Sequence, residues 1–388
     1  MSRQSEIEVL VAEALQEMPK GKRKAAEKLA PDLFAESHIE DLKEQSPEVR
    51  SAILEASRNA IAKRPDDTLS VESVKSGEGG SQNKTLITIA QRNRPFILDS
   101  VLAELANHIA KIEFVTHPVL ISKNNDRVSL VIIVLSNTDA AERKFIKAEL
   151  RDVLAQVRVV TDDWRPMLQR VDEELANFRT TPPPLPTEQI AEAIQFLDWL
   201  ADNNFTLMGL REYSYAGTRK SGELKSVKGS ALGILRDDNL AIMTRGGKPV
   251  TLTPEIRNFL FSEQPLIITK ANMRSRVHRR THLDYVGIKR FTKEGKLAGE
   301  LRLVGLFTST AYTKSVMSIP LLRHKANEVL VKFKTDPASH TGKALINIIE
   351  NWPRDEMFQL DAKMLGEFAR IAVQLEERPR IRVLPRVD

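Results

Sequence analysis

Residues 85–112 read TLITIAQRNRPFILDSVLAELANHIAKI. The first seven alternate and are rich in β-branched side chains, the pattern of a strand. Asn93-Arg94-Pro95 then interrupts the chain as a turn. From Phe96 onward, apolar residues recur at 96, 97, 101, 102, 105 and 109, which paints one face of a helix. A strand feeding a helix through a short polar turn implies a sheet with helices packed on it.

The next segments complete that layer. KIEFVTHPVLI (111–121) reads as a second strand, NNDR (124–127) as a turn, and VSLVIIVLSN (128–137) as a third strand. The third is nearly all apolar and so central. DAAERKFIKAELRDVLAQ (139–156) reads as an amphipathic helix capped by Thr138 or Asp139. VRVVTD (157–162) reads as a short closing strand. The order is βαββαβ, the ferredoxin-like split arrangement.

Upstream, helices are expected over 5–18, 22–30 and 47–63, the third capped by Ser46 with Pro47 in its first turn. They make a helical segment over 1–69. Residues 70–84 are Ser- and Gly-rich and read as a linker. Downstream come a helix over 164–178 and a stiff proline linker, TTPPPLPTE (180–188). A helix over 188–203 then leads strands at 205–215, 231–236, 265–279, 284–291 and 300–313, with a hairpin turn at Lys293–Lys296. These make one antiparallel sheet domain over 188–318. Helices at 320–334, 341–350 and 361–376 form a connector over 319–378. PRIRVLPRVD (379–388) begins as a basic strand with no partner to follow. It reads as the start of a further domain, and the chain as the front part of a longer protein. The fold class is α+β.

Composition narrows the function. A chain of 388 residues, 41% hydrophobic, supports two to four domains with real cores. No apolar run approaches the ~18 residues of a membrane span, and the acids in the N-terminal helix rule out a secretory signal there. The absence of cysteine excludes disulfides and thiolate chemistry and fits a cytoplasmic protein. A net charge of +6 is modest, since 58 basic residues face 52 acidic ones.

The chemical motifs are few. His278 and His282 are four apart, but in an extended stretch that separation is about 13 Å, too far to chelate one ion. No metal site is expected. No GxGxxG, GxxxxGK[ST] or GxSxG occurs in a strand–turn–helix context, so no catalytic or cofactor-binding residue is assigned. Residues 263–302 hold ten Lys/Arg against four acids. Arg274, Arg276, Arg279 and Arg280 make a candidate interdomain basic face or, as a weaker reading, a phosphate contact for nucleic acid. Few aromatics lie nearby to stack bases. Arg354, Asp355 and Glu356 in NWPRDEMFQLD (351–361) read as a structural joint at the helix break set by Pro353. At the start of the 95–110 helix, unpaired N–H groups and Arg94 would favour an anion.

Asn93-Arg94-Pro95-Phe96-Ile97-Leu98 resembles the D-R-P-G-L-L opening of ACT domains, which sense small ligands in metabolic enzymes. Longer stretches resemble the N-terminal region of the large bacterial NAD-specific glutamate dehydrogenases. They are RPFILDSVLAEL (94–105), FVTHPVL (114–120), MRSRVHRRTHLDYVGIKRF (273–291), GELRLVGLFTSTAYT (299–313), IPLLRHK (319–325) and NWPRDEMFQ (351–359). The resemblance spans about residues 85–388. It implies an ACT-like domain over 85–179, a PAS-type identity for the 188–318 sheet domain, and a second ACT-like domain beginning at 379–388. It also implies a parent enzyme that oxidatively deaminates L-glutamate with NAD, with the catalytic domain outside this chain. The chain would then serve regulation and homo-oligomer assembly. An alternative is amino-acid or anion sensing at Asn93, Arg94, Pro95, Phe96 and Asp99. Two departures from the ACT pattern bear on that alternative: Asn93 replaces its aspartate, and Phe96 replaces the glycine that leaves room for a ligand.

Overall fold

A computed structural model of the chain describes residues 2–62, 68–77, 82–107, 111–121, 125–240, 252–334 and 336–377, with positions 242, 244–245, 248–249 and 381. It divides into two bodies. One comprises residues 1–161 with 276–280, the other 162–275 with 281–388.

The first body opens with four helices: α1 (Arg3–Gln16), α2 (Lys20–Phe34), α3 (Ile39–Lys43) and α4 (Pro47–Ile61). Ser46 Oγ accepts the Val49 N–H and Pro47 takes the first position of α4. Next come β1 (Thr68–Ser76), β2 (Gln82–Arg92), α5 (Ile97–Leu105), β3 (Ile112–Thr116), β4 (Val119–Ile121), β5 (Arg127–Leu135) and α6 (Ala140–Asp162). The sheet is antiparallel, ordered β1-β2-β5-β3, with β4 also on β5. Asp139 Oδ1 accepts the Glu142 N–H at 2.8 Å at the start of α6.

Three expectations are corrected here. The 70–84 stretch is not simply a linker: its described residues include most of β1, paired with β2 from Thr68↔Ala90 to Ser76↔Gln82. VRVVTD (157–162) is not a strand but the last turns of α6, because Ile146, Leu150, Val153, Val157 and Val160 keep a helical spacing and all bury. β1 therefore fills the place beside β2 that a closing βαββαβ strand would take. The N-terminal helices are not a separate segment either. Leu33, Phe34, Val49, Ile53 and Leu54 share one core with Leu86, Ala90, Leu130, Ile132 and Val134 on the sheet. The alternate residues Ile87, Ile89, Val131 and Ile133 are also buried, so the central strands are covered on both faces.

The second body contains α7 (Trp164–Thr180), α8 (Thr187–Trp199), β6 (Phe205–Ala216), β7 (Glu223–Ser226), β8 (Leu232–Gly233), β9 (Thr244–Arg245), β10 (Lys248–Pro249), α9 (Pro254–Leu260), β11 (Leu266–Arg274), β12 (His282–Phe291) and β13 (Leu297–Phe307). Then follow α10 (Ser309–Thr313), α11 (Leu322–Lys332), α12 (His340–Asn351), α13 (Arg354–Gln359) and α14 (Ala362–Glu377). Its main sheet is antiparallel, ordered β11-β12-β13-β6-β7, with β8 on β6. The strand expected to run to 313 stops at Phe307, where Thr308 begins the turn into α10. The short helices α9 and α13 had no periodic signal long enough to announce them.

One core joins α7, α8, the sheet and α11 to α14. Phe358 stacks on Phe307 with ring centroids 5.0 Å apart. Lys325 Nζ donates to the carbonyls of Met357, Phe358 and Leu360 at 2.7 to 2.9 Å, capping the end of α13. Arg354 donates to the carbonyls of Glu350, Trp352 and Lys314, so this stretch is built as a joint. Residues 379–388 lie outside the described residues, except Ile381.

Candidate functional site

The turn after β2 delivers the chain to α5. Asn93 N–H donates to Arg127 O at 2.9 Å, which continues the β2–β5 ladder by one rung. Asn93 Oδ1 accepts from Ser129 Oγ at 3.3 Å, and Ser129 Oγ lies 2.8 Å from His117 Nε2. Burial holds His117 below the usual imidazole range. Asn93 and Pro95 are exposed and Arg94 is half-buried. Phe96 then adopts φ +71°, ψ +1°, the left-handed region, and caps α5 with no side-chain hydrogen bond. A bulky residue there costs about 1–2 kcal/mol relative to ordinary backbone, which is why glycine is favoured at such positions.

Local contacts hold Phe96 in place. Ser100 Oγ donates back to Phe96 O. The Phe96 ring packs on the His278 ring with centroids 5.1 Å apart. His278 itself has φ +65°, and its N–H donates to Ser100 Oγ at 2.9 Å. His278 Nδ1 lies 3.0 Å from Asp99 Oδ2. One turn further along α5, the buried Glu104 takes Arg276 Nε at 3.2 Å and Arg280 Nη1 at 2.8 Å through the same carboxylate oxygen. Arg276 Nη2 also reaches Glu149 Oε2 on α6 at 2.6 Å.

Phe96, Ser100 and Glu104 are spaced i, i+4, i+8 and form a stripe on one helix face. Residues 276–280 lie along that stripe. The arrangement brings together Phe96, Asp99, Arg276 and Arg280, which the sequence had assigned to two separate patches. Arg274 is not part of it; it is exposed in the second body, its Nε 3.5 Å from His282 Nε2. Arg279 is exposed. Sequence reasoning missed Ser100, Glu104, Glu149 and the docking role of His278. A polar residue and an acid one and two turns along the Phe96 stripe were the available signal.

The rest of the basic 270–302 stretch is largely neutralised inside the protein. Lys270 pairs with Asp284 and Asp355, Arg290 with Glu174 and Glu212, and Arg302 with Glu300. Lys289 is buried and donates to Ser262 O at 2.6 Å. Among the described residues no cluster of His, Asp or Glu could hold a metal ion, and no described helix is long and apolar enough to cross a membrane.

Comparison with known proteins bears on this geometry. Residues 29–163 match the glutamate dehydrogenase ACT1 domain, and residues 319–378 match the glutamate dehydrogenase helical motif 1. The NAD-specific glutamate dehydrogenase of Halomonas elongata is 30% identical over 330 residues, 80% of this chain and 20% of that protein. The protein of the same name from Pseudomonas aeruginosa is 30% identical over 331 residues, again 80% of this chain and 20% of the relative. The chain belongs to the NAD-specific glutamate dehydrogenase family. A third relative of that name, from Mycobacterium tuberculosis, is 28% identical over 194 residues, half of this chain. The chain spans about a fifth of the length of the first two relatives. The dehydrogenase ACT1 match begins within α2 and ends at the close of α6. It thus takes in the end of α2, α3, α4 and β1 together with the rest of the sheet.

Proposed function

We propose that this chain is a regulatory and assembly region of an NAD-specific glutamate dehydrogenase. The parent reaction would convert L-glutamate and NAD to 2-oxoglutarate, ammonia and NADH, with hydride transfer on parts of the parent outside this chain. NAD would belong to that parent site, since this sequence carries no dinucleotide fingerprint. The sheet domain over 188–318 is taken as PAS-type, the assembly as a cytoplasmic homo-oligomer.

The observation that carries the assembly reading is the occupied stripe on α5. An ACT-type ligand would enter where a glycine leaves room, and here the Phe96 ring and residues 276–280 fill that ground. Sensing at Asn93–Asp99 is therefore the less favoured reading. The ion pairs of Lys270, Arg290 and Arg302 likewise disfavour nucleic acid. Multi-angle light scattering over a concentration series tests assembly: association beyond a monomer is expected, and a strict monomer at high concentration counts against it.

A further inference from the structure

A cleft of about 330 Å³ lies in the first body between α6 and the Thr68–Gln91 end of the β1–β2 ladder, and Phe96 is not among its lining residues. Its lining includes Lys147, Arg151 and Arg158 from one stripe of α6, with Thr68 and Gln91 from the strands. The volume is at the small end of ligand pockets.

Two independent observations mark it as built for a ligand. The first is charge. Lys147 and Arg151 are four residues apart on α6, where like charges repel, and neither has an ion pair or hydrogen bond among the described residues. Glu149, the acid between them in sequence, is held by Arg276. The second is unmet hydrogen bonding. Gln91 is 3% exposed and Thr68 8%. Among the described residues Gln91 Oε1 and Thr68 Oγ1 have no hydrogen-bond partner. Buried polar atoms are almost always paired, so two at one cleft need an explanation.

We propose that this cleft binds a small anion with two or more negative charges and an O–H or N–H donor. The anionic oxygens face Lys147 and Arg151, and the donor satisfies Gln91 Oε1. Hydroxy- or amino-dicarboxylates and phosphate monoesters share this chemistry.

The test is calorimetric titration of the full chain with malate, glycerol phosphate and succinate, at low and high salt. Binding of malate or glycerol phosphate is expected, and whichever binds identifies the source. Succinate, which lacks the hydroxyl, should bind more weakly than malate. Lys147→Glu with Arg151→Glu should weaken binding by about tenfold or more, and high salt should weaken it too. Circular dichroism of the double variant checks its fold, and Gln91→Leu gives a second, uncharged probe of the same cleft. No heat from any of the three probes overturns the proposal, as does binding that the charge reversals leave unchanged. Asp66 and Asp67 precede Thr68 in sequence. Binding that appears only in Asp66→Asn with Asp67→Asn would show the chain's own carboxylates serving the cations, and also overturns it.

Discussion

The Glu104 carboxylate accepts from Arg280 Nη1 at 2.8 Å across 176 residues of sequence. The same oxygen takes Arg276, so one buried acid bridges two guanidinium groups. Removing it takes the carboxylate from Arg280 and leaves Arg276 with Glu149 alone. Glu104→Ala should destabilise the first body by roughly 2–4 kcal/mol, discounted from a fully buried pair because the arginines are partly exposed. Urea unfolding measures this. A loss under about 0.5 kcal/mol, the size of a surface effect, would show that the clasp contributes little.

Phe96 offers a test of sign. At ordinary positions glycine is less stable than alanine by about 0.5–1 kcal/mol. At φ +71° the order should reverse, with Phe96→Gly more stable than Phe96→Ala by roughly 1 kcal/mol. Both lose the His278 ring contact, so the difference isolates the backbone. Paired denaturation midpoints decide it, and alanine as the more stable variant would refute the left-handed assignment.

Asp284 makes stability depend on pH. Burial pushes its carboxyl from 3.8 up to about 6, against the opposing pull of Lys270. The folded state then binds more protons than the unfolded one between those values. Stability from this group is therefore lost as pH rises from about 4 to 6, by an amount on the order of 1–3 kcal/mol. Asp284→Asn should flatten that part of the profile. An unchanged slope in the variant would assign the dependence elsewhere.

Lys289 is 1% exposed, and burial lowers it to about 8. Its folded value lies below the ordinary 10.5, so stability should rise with pH between about 8 and 10.5. At pH 7 the buried charge is a net cost that a single bond to Ser262 O only partly offsets. Lys289→Met should be neutral or stabilising by about 1–2 kcal/mol at pH 7. A large loss in thermal unfolding would mean the Ser262 bond and the Phe259 ring contact outweigh desolvation.

These predictions also mark what was legible in the sequence. β2, α5, β5 and most of α6 announce themselves because each buries a regular apolar set. β1 does not: Val71 and Val74 are only half-buried, and much of the strand rests on hydrogen bonds to β2 that leave no hydrophobic signature. Val157, Val159 and Val160 looked like a strand from β-branched content, yet the core contacts of Val157 and Val160 continue the α6 stripe, and packing outweighs propensity. The placement of residues 276–280 on α5 was not readable, since nothing local ties Arg280 to Glu104. The anomaly at Phe96 was readable, and its left-handed backbone is the physical reason a glycine is the usual occupant there.

The most direct test of the central claim is absorbance at 340 nm with L-glutamate and NAD, run on the 388-residue chain and on the longer parent that the proposed function expects. The expected result is NADH formation by the parent and none by the chain. Turnover by the chain, or a folded parent that does not oxidise glutamate, would contradict it.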